Sequence, residues 1–298
     1  MTRKSGGWRR ALRRWLLIAA TTYVAVCAVA AWQKEAIIFP VRGHERAMGR
    51  TAPAGYETWW LTLPDGARVE AWWRPLPGAS PERPAPAVLV FHGNGELIDD
   101  SREFAEVWNA AGASVLLVEY RGYGRSGGEP GVATGIADAA AWFDRVAATP
   151  GVRPDVVLAY GFSLGGVFAA ELAAIRPVAG LAMEGAPSGM VEIARDRGIW
   201  LVFTRERFDG RAALAGLAPD VPVLLTHGRP DIIVPFRHLG LLSEARPGAT
   251  VVAGTHPHEP YAAWMRPALL QDLLASAVAR ADRRADKTLA SAAPASAR

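Results

Sequence analysis

Residues 159–166, Ala-Tyr-Gly-Phe-Ser-Leu-Gly-Gly, constrain the fold of this chain more than any other stretch. The apolar run Val156–Tyr160 predicts a buried parallel strand, and a helical pattern follows from Val167 to Ile175. Between them Gly161-x-Ser163-x-Gly165 must turn the chain sharply. A serine in such a turn sits at strained dihedrals with its hydroxyl pushed outward. Gly161 and Gly165 leave room where a Cβ would meet neighbouring backbone. The helix behind Ser163 aims free N–H groups and a positive dipole end at any oxyanion formed there. A glycine-rich turn that merely contains a serine needs no such strand and helix around it, so Ser163 is read as a candidate nucleophile.

The surrounding pattern predicts an α/β fold. From Ala87 onward, apolar strands are expected at 87–91, 113–119, 156–160, 179–183, 221–226 and 249–253. Helices are expected at 101–111, 134–148, 165–175, 236–245 and 260–280. Such alternation implies a mostly parallel sheet flanked by helices, with sites at the carboxyl ends of its strands. Before it, Glu57–Leu63 and Ala67–Arg74 flank Pro64-Asp65-Gly66 and read as a hairpin. Its tryptophans form adjacent pairs, Trp59-Trp60 and Trp72-Trp73, so one of each is expected in the core and one outside. Residues 187–218 interrupt the alternation and predict a short helical cap, whose Trp200 and Phe203 are expected to bind substrate. The main domain is placed at 55–280, after a linker at 33–54 and before a disordered tail at 281–298.

The N-terminus carries a membrane signal. Residues 1–14 are basic, and 15–32 form an uncharged apolar run with Trp15 and Trp32 at its ends. As a helix this run spans about 27 Å, enough for a hydrocarbon core. The arginines before it should stay cytoplasmic, placing the rest of the chain on the extracytoplasmic side. The competing reading is a cleaved signal peptide with Ala28-Val29-Ala30 as its site. Removing the seven basic residues before Glu35 from the total of 33 leaves 26 against 29 acidic ones. The body is therefore slightly acidic, and no nucleic-acid partner is expected. Cys27 is the single cysteine and lies within the apolar run, so the exported part has no disulfide.

A serine nucleophile needs a base held by a carboxylate. Asp231 follows a buried strand and lies between Ser163 and the later histidines, the order Ser, acid, His. Asp220 falls at the wrong end of that strand, and Glu184 comes too early. His256 and His258 are both candidate bases. His227 precedes the acid and is expected to order its loop. His256-x-His258 with Glu259 has no third ligand at metal spacing, so no metal site is expected. The loop His92-Gly93-Asn94-Gly95-Glu96 should supply the backbone N–H of Asn94 to pair with that of Leu164 as an oxyanion hole.

These motifs resemble the α/β-hydrolase superfamily, and more narrowly the membrane-anchored, small-lid bud-emergence family. The resemblance rests on His92-Gly93-Asn94-Gly95, Tyr120-Arg121-Gly122-Tyr123-Gly124-Arg125-Ser126-Gly127-Gly128-Glu129-Pro130, Gly161–Gly166, and His227-Gly228 through Asp231 to Val234-Pro235. It runs from about Ile37 to Ala279. It implies Ser163, Asp231 and His256 as a triad, with Asn94 and Leu164 as oxyanion donors. Glu96 departs from the family pattern and puts a carboxylate near the mouth, where it is expected to meet substrate. His256-Pro257-His258 replaces the usual His-Asn-Asp. His256 is favoured because it follows the last strand directly, whereas Pro257 would leave His258 at the start of the final helix. The expected activity is hydrolysis of small acyl substrates (esters, thioesters or lipids, with amides less favoured), without a cofactor. A peptidase on the same fold would need an acidic clamp, with Glu96 or Glu184 to provide it, and a scaffold without activity would need no triad.

Overall fold

In the computed structural model, which describes residues 7–40, 51–198, 208–259 and 267–292, the chain starts in α1 (Gly7–Trp32) and a short continuation, α2 (Lys34–Ile38). Strands β1 (Glu57–Thr62) and β2 (Arg68–Arg74) form the expected antiparallel hairpin. The alternation follows as β3 (Ala85–Phe91), α3 (Arg102–Ala111), β4 (Ser114–Val118), α4 (Val132–Ala147), β5 (Val152–Phe162), α5 (Leu164–Ile175) and β6 (Leu181–Glu184). Two short cap helices, α6 (Met190–Asp196) and α7 (Gly210–Gly216), precede β7 (Val223–Gly228), α8 (Arg237–Ala245), β8 (Thr250–Gly254) and α9 (Pro267–Ala292).

The strands make one eight-stranded sheet in the order β1-β2-β4-β3-β5-β6-β7-β8. From β4 to β8 all pairings are parallel, and β1 and β2 add an antiparallel edge. The chain winds outward from β3 in one direction to β4 and in the other through β5 to β8. The crevice at such a switch point, outside the carboxyl ends of the strands, is where α/β sheets bind ligands. Strand side chains alternate between two cores. Leu89, Leu116 and Val157 pack with Trp142 and Phe168 on one face, and Val88, Leu117 and Leu158 pack with Trp108 and Leu274 on the other. That double burial explains why the central strands read as continuous apolar runs.

Two expectations change here. Trp72 and Trp73 are both buried, because β2 lies between β1 and β4 and each ring enters a different core. On edge strand β1 the expected division holds, with Trp59 stacked on Trp73 against the core and Trp60 facing outward under Arg68. The tail from 281 is helical as far as Ala292, since α9 continues through residues with good helix propensity. Its buried Arg280 pairs with Asp220 at 3.1 Å. Trp200 and Phe203 lie outside the described residues.

Candidate active site

β5 delivers Ser163 at its carboxyl end with φ 53° and ψ −118°, the one non-glycine residue with positive φ among the described residues. This left-handed conformation is costly for a residue with a Cβ and persists only where packing imposes it. The packing here is backbone against backbone. A Cβ on Gly161 would overlap the Gly165 carbonyl, and one on Gly165 would overlap that of Phe91. The Ser163 N–H donates to the Glu184 carbonyl at 2.8 Å, tying the turn to β6. Leu164 opens α5, so its N–H has no acceptor within the helix.

The Ser163 hydroxyl meets His258. Ser163 Oγ lies 2.9 Å from His258 Nε2, and His258 Nδ1 lies 2.6 Å from Asp231 Oδ2. A carboxylate only accepts, so Nδ1 carries the proton and Nε2 is left to accept from Ser163. The His258 ring also packs on Phe162, 4.9 Å between centroids.

His256 is not at this position, contrary to the expectation from the sequence. Its Nδ1 donates to the carbonyl of Pro257 at 2.8 Å, and its ring and carbonyl rest on Gly228. β8 ends at Gly254 and the next five residues form a loop. The N–H of Glu259 turns back onto the Pro257 carbonyl at 2.9 Å. That tight turn carries the ring at 258, and not the one at 256, over the strand ends. His258 itself lies in that loop, outside any helix.

Asp231 is buried and fully engaged. Its Oδ1 accepts from the N–H groups of Ile233 at 2.9 Å and Val234 at 2.8 Å, while His227 Nε2 lies 3.1 Å from Oδ2. His227 Nε2 also lies 2.8 Å from the Val234 carbonyl. Both neighbours only accept, so Nε2 carries the proton. Burial alone would raise the Asp231 pKa. Hydrogen bonds from His227, His258 and the Val234 N–H outweigh it and hold the carboxyl well below its ordinary value. The role of His227 as a second donor to Asp231 was missed in the sequence, although its i, i+4 spacing from Asp231 was the available signal.

Asn94 and Leu164 both line the cavity at Ser163. The Asn94 loop is braced on every side. Tyr123 donates to the Asn94 carbonyl at 2.8 Å, and Tyr120 donates to that of His92 at 2.6 Å. The His92 ring bridges the Gly93 carbonyl (2.8 Å) and Glu119 (2.9 Å). Burial opposes protonation of His92, but Glu119 overcomes it and raises its pKa. Glu96, expected at the mouth, instead folds beneath this loop and accepts from the Gly93 N–H at 2.7 Å. Glu184 is buried with the Tyr160 hydroxyl on its carboxyl.

The cavity above Ser163 holds about 250 Å³ and is lined mainly by apolar side chains. The cap contributes Met190, Ile193 and Phe208. Ala30, Ile37 and Ile38, which the sequence places in the span and the linker, also line it.

Comparison with known proteins agrees with this architecture. The family model described as serine aminopeptidase, S33, matches residues 82–196, which include Asn94 and Ser163 and stop before Asp231. The chain is 31% identical over 228 residues to the uncharacterized protein Rv2307c of Mycobacterium tuberculosis, covering 76% of this chain and 79% of that one. Among solved structures, the esterase Pf2001 of Pyrococcus furiosus superposes with a TM-score of 0.59 at 16% identity, over 78% of this chain and 94% of its own. Est1E of Butyrivibrio proteoclasticus, solved with ferulic acid, superposes with a TM-score of 0.60 at 17% identity, over 74% and 99%.

Proposed function

Because the chain belongs to the α/β-hydrolase superfamily, we propose that it hydrolyses acyl esters or thioesters through Ser163, His258 and Asp231, on a domain held to a membrane by α1. The observation that carries this reading is the unbroken line of hydrogen bonds Ser163–His258–Asp231 at the carboxyl edge of the sheet. Ser163 Oγ attacks the acyl carbon while His258 Nε2 takes its proton. The developing oxyanion is met by the N–H groups of Asn94 and Leu164, each worth about 3 kcal/mol in comparable sites. His258 passes the proton to the leaving oxygen or sulfur, and Asp231 stabilises the imidazolium in between. Water, deprotonated by His258, then releases the acid and restores Ser163.

A peptidase reading, which the family model's description favours, needs a carboxylate to hold the substrate amine. Glu96 is committed to Gly93 and Glu184 to Tyr160. Among the described residues, the charged group lining the cavity is Arg197, a cation. The apolar lining suits an acyl chain, and a cation at the wall repels a substrate ammonium.

Membrane attachment is supported by α1 itself. Its uncharged part, 15–32, reaches about 27 Å at 1.5 Å per residue, close to the thickness of a hydrocarbon core. Trp15, Leu16 and Leu17 are each more than 60% exposed, an arrangement that water penalises and lipid does not.

A fluorophosphonate probe and a p-nitrophenyl acetate assay test the reading. The chain should be labelled and should turn over the ester, and Ser163→Ala should lose both. An unlabelled wild-type chain with no turnover of ester or thioester would overturn it.

A further inference from the structure

Two apolar surfaces meet at Ala30 and Ile37. One is the cavity over Ser163. The other is an open groove along α1 formed by Thr22, Ala25, Val26, Val29 and Gln33, with Ala30 and Ile37 shared between them. The spacing 22, 25, 26, 29, 30, 33 is one face of a helix. From Ala30 to Thr22 the groove climbs eight residues, about 12 Å, into the segment read as membrane-spanning.

The helix is held against the domain along the neighbouring face, where Cys27 is buried. Tyr23 donates to the Gly198 carbonyl of the cap at 2.8 Å, from within the apolar run. Asn94 Nδ2 donates to the Ile38 carbonyl at 3.2 Å. Phe39 is buried against Tyr123 and against Phe168 of the nucleophile helix. These contacts hold the cap and the mouth of the site beside the membrane helix. Ile233, which lines the cavity, and its neighbour Ile232 stay exposed at 47% and 85%, and Ile37 at 58%. An apolar rim of this kind is at home against lipid.

We propose that the substrate is a long-chain glycerolipid ester resident in the bilayer, and that its acyl chain reaches Ser163 along α1, with the anchor helix itself forming one wall of the acyl-binding site. The proposal rests on the hydrolase reading above and deepens it. The ester C–O bond breaks as Ser163 Oγ bonds to the acyl carbon. The glycerolipid alcohol leaves with the proton from His258. Water then releases the fatty acid, so no further reactant is required.

The test uses the full chain reconstituted in phosphatidylcholine vesicles, with α1 intact. Two substrates are compared: soluble p-nitrophenyl acetate and a fluorogenic phospholipid with octadecanoyl chains held in the same vesicles. Val26→Trp blocks the groove, whereas Val24→Trp puts the same ring on the opposite face of α1. The ratio of long-chain to short-chain turnover should fall at least tenfold in Val26→Trp and stay within twofold of wild type in Val24→Trp. Should Val26→Trp not accumulate, Ala25→Phe blocks the same groove. Equal ratios in both variants, or acetate turnover with no phospholipid turnover in the wild type, would overturn the proposal and leave the serine hydrolase standing. Loss of acetate turnover and of fluorophosphonate labelling in the wild type would instead remove the hydrolase reading on which it rests. A second readout is a hexadecyl fluorophosphonate with a diazirine near the chain end. After it labels Ser163, light should attach it to a peptide from α1, and attachment to cap peptides alone would also overturn the proposal.

Discussion

Gly228 lies directly against His256: a Cβ at 228 would overlap the histidine's carbonyl oxygen and stand 2.9 Å from its ring. β7 thus determines where the loop after β8 leaves the sheet, and with it which histidine reaches Ser163. Gly228→Ala should push that loop away and lower kcat/KM for p-nitrophenyl acetate at least tenfold, with far-UV circular dichroism unchanged. Undiminished turnover would show that the loop yields without moving His258.

The two histidines should separate cleanly. His258→Ala removes the group 2.9 Å from Ser163 Oγ and should cost on the order of 10³-fold or more in ester hydrolysis. His256→Ala removes a ring bonded to its neighbour's carbonyl and should cost less than about tenfold, the range of a loop perturbation. Steady-state kinetics on both variants decide between them, and the reverse ranking would return the role of base to His256.

Glu184 makes a stability prediction with a defined sign. Burial raises its carboxyl pKa well above the ordinary range, so the folded protein holds a proton there that the unfolded chain gives up above about pH 4.3. Stability contributed by this group is therefore lost as pH rises from that value through the raised one. Glu184→Gln should raise the urea midpoint at pH 7 to 8, and the gain should vanish near pH 4. A variant less stable than wild type at pH 8 would mean that the carboxylate is ionised and held by partners.

The topology prediction concerns α1. Arg9, Arg10, Arg13 and Arg14 occupy its first turns and should stay cytoplasmic, which places the catalytic domain across the membrane. An alkaline phosphatase fusion after Arg50 should be active, and the chain should keep its N-terminus. An inactive fusion with an active cytoplasmic reporter at the same site would reverse the orientation. Loss of residues up to Ala30 would identify a cleaved signal.

Much of this architecture is local chemistry and so was legible in the sequence. Gly161 and Gly165 exist because backbone passes where a side chain would stand, and that requirement shows as a motif of five residues. The α/β alternation shows because strands buried on both faces must be apolar throughout. What the sequence left open depends on contacts across the chain. His256 and His258 differ by two positions in one loop, and no local propensity ranks them. Packing on Gly228 and a turn at Pro257 put the second ring between Ser163, 95 residues away, and Asp231, 27 away. The wall supplied by Ala30 and Ile37 is of the same kind. Those residues read as span and linker until Tyr23, Ile38 and Phe39 dock on the domain and bring an apolar helix face to the nucleophile. A sequence specifies which groups are present and how the backbone bends within a few residues, whereas the meeting of distant side chains follows only once the sheet has set their distances.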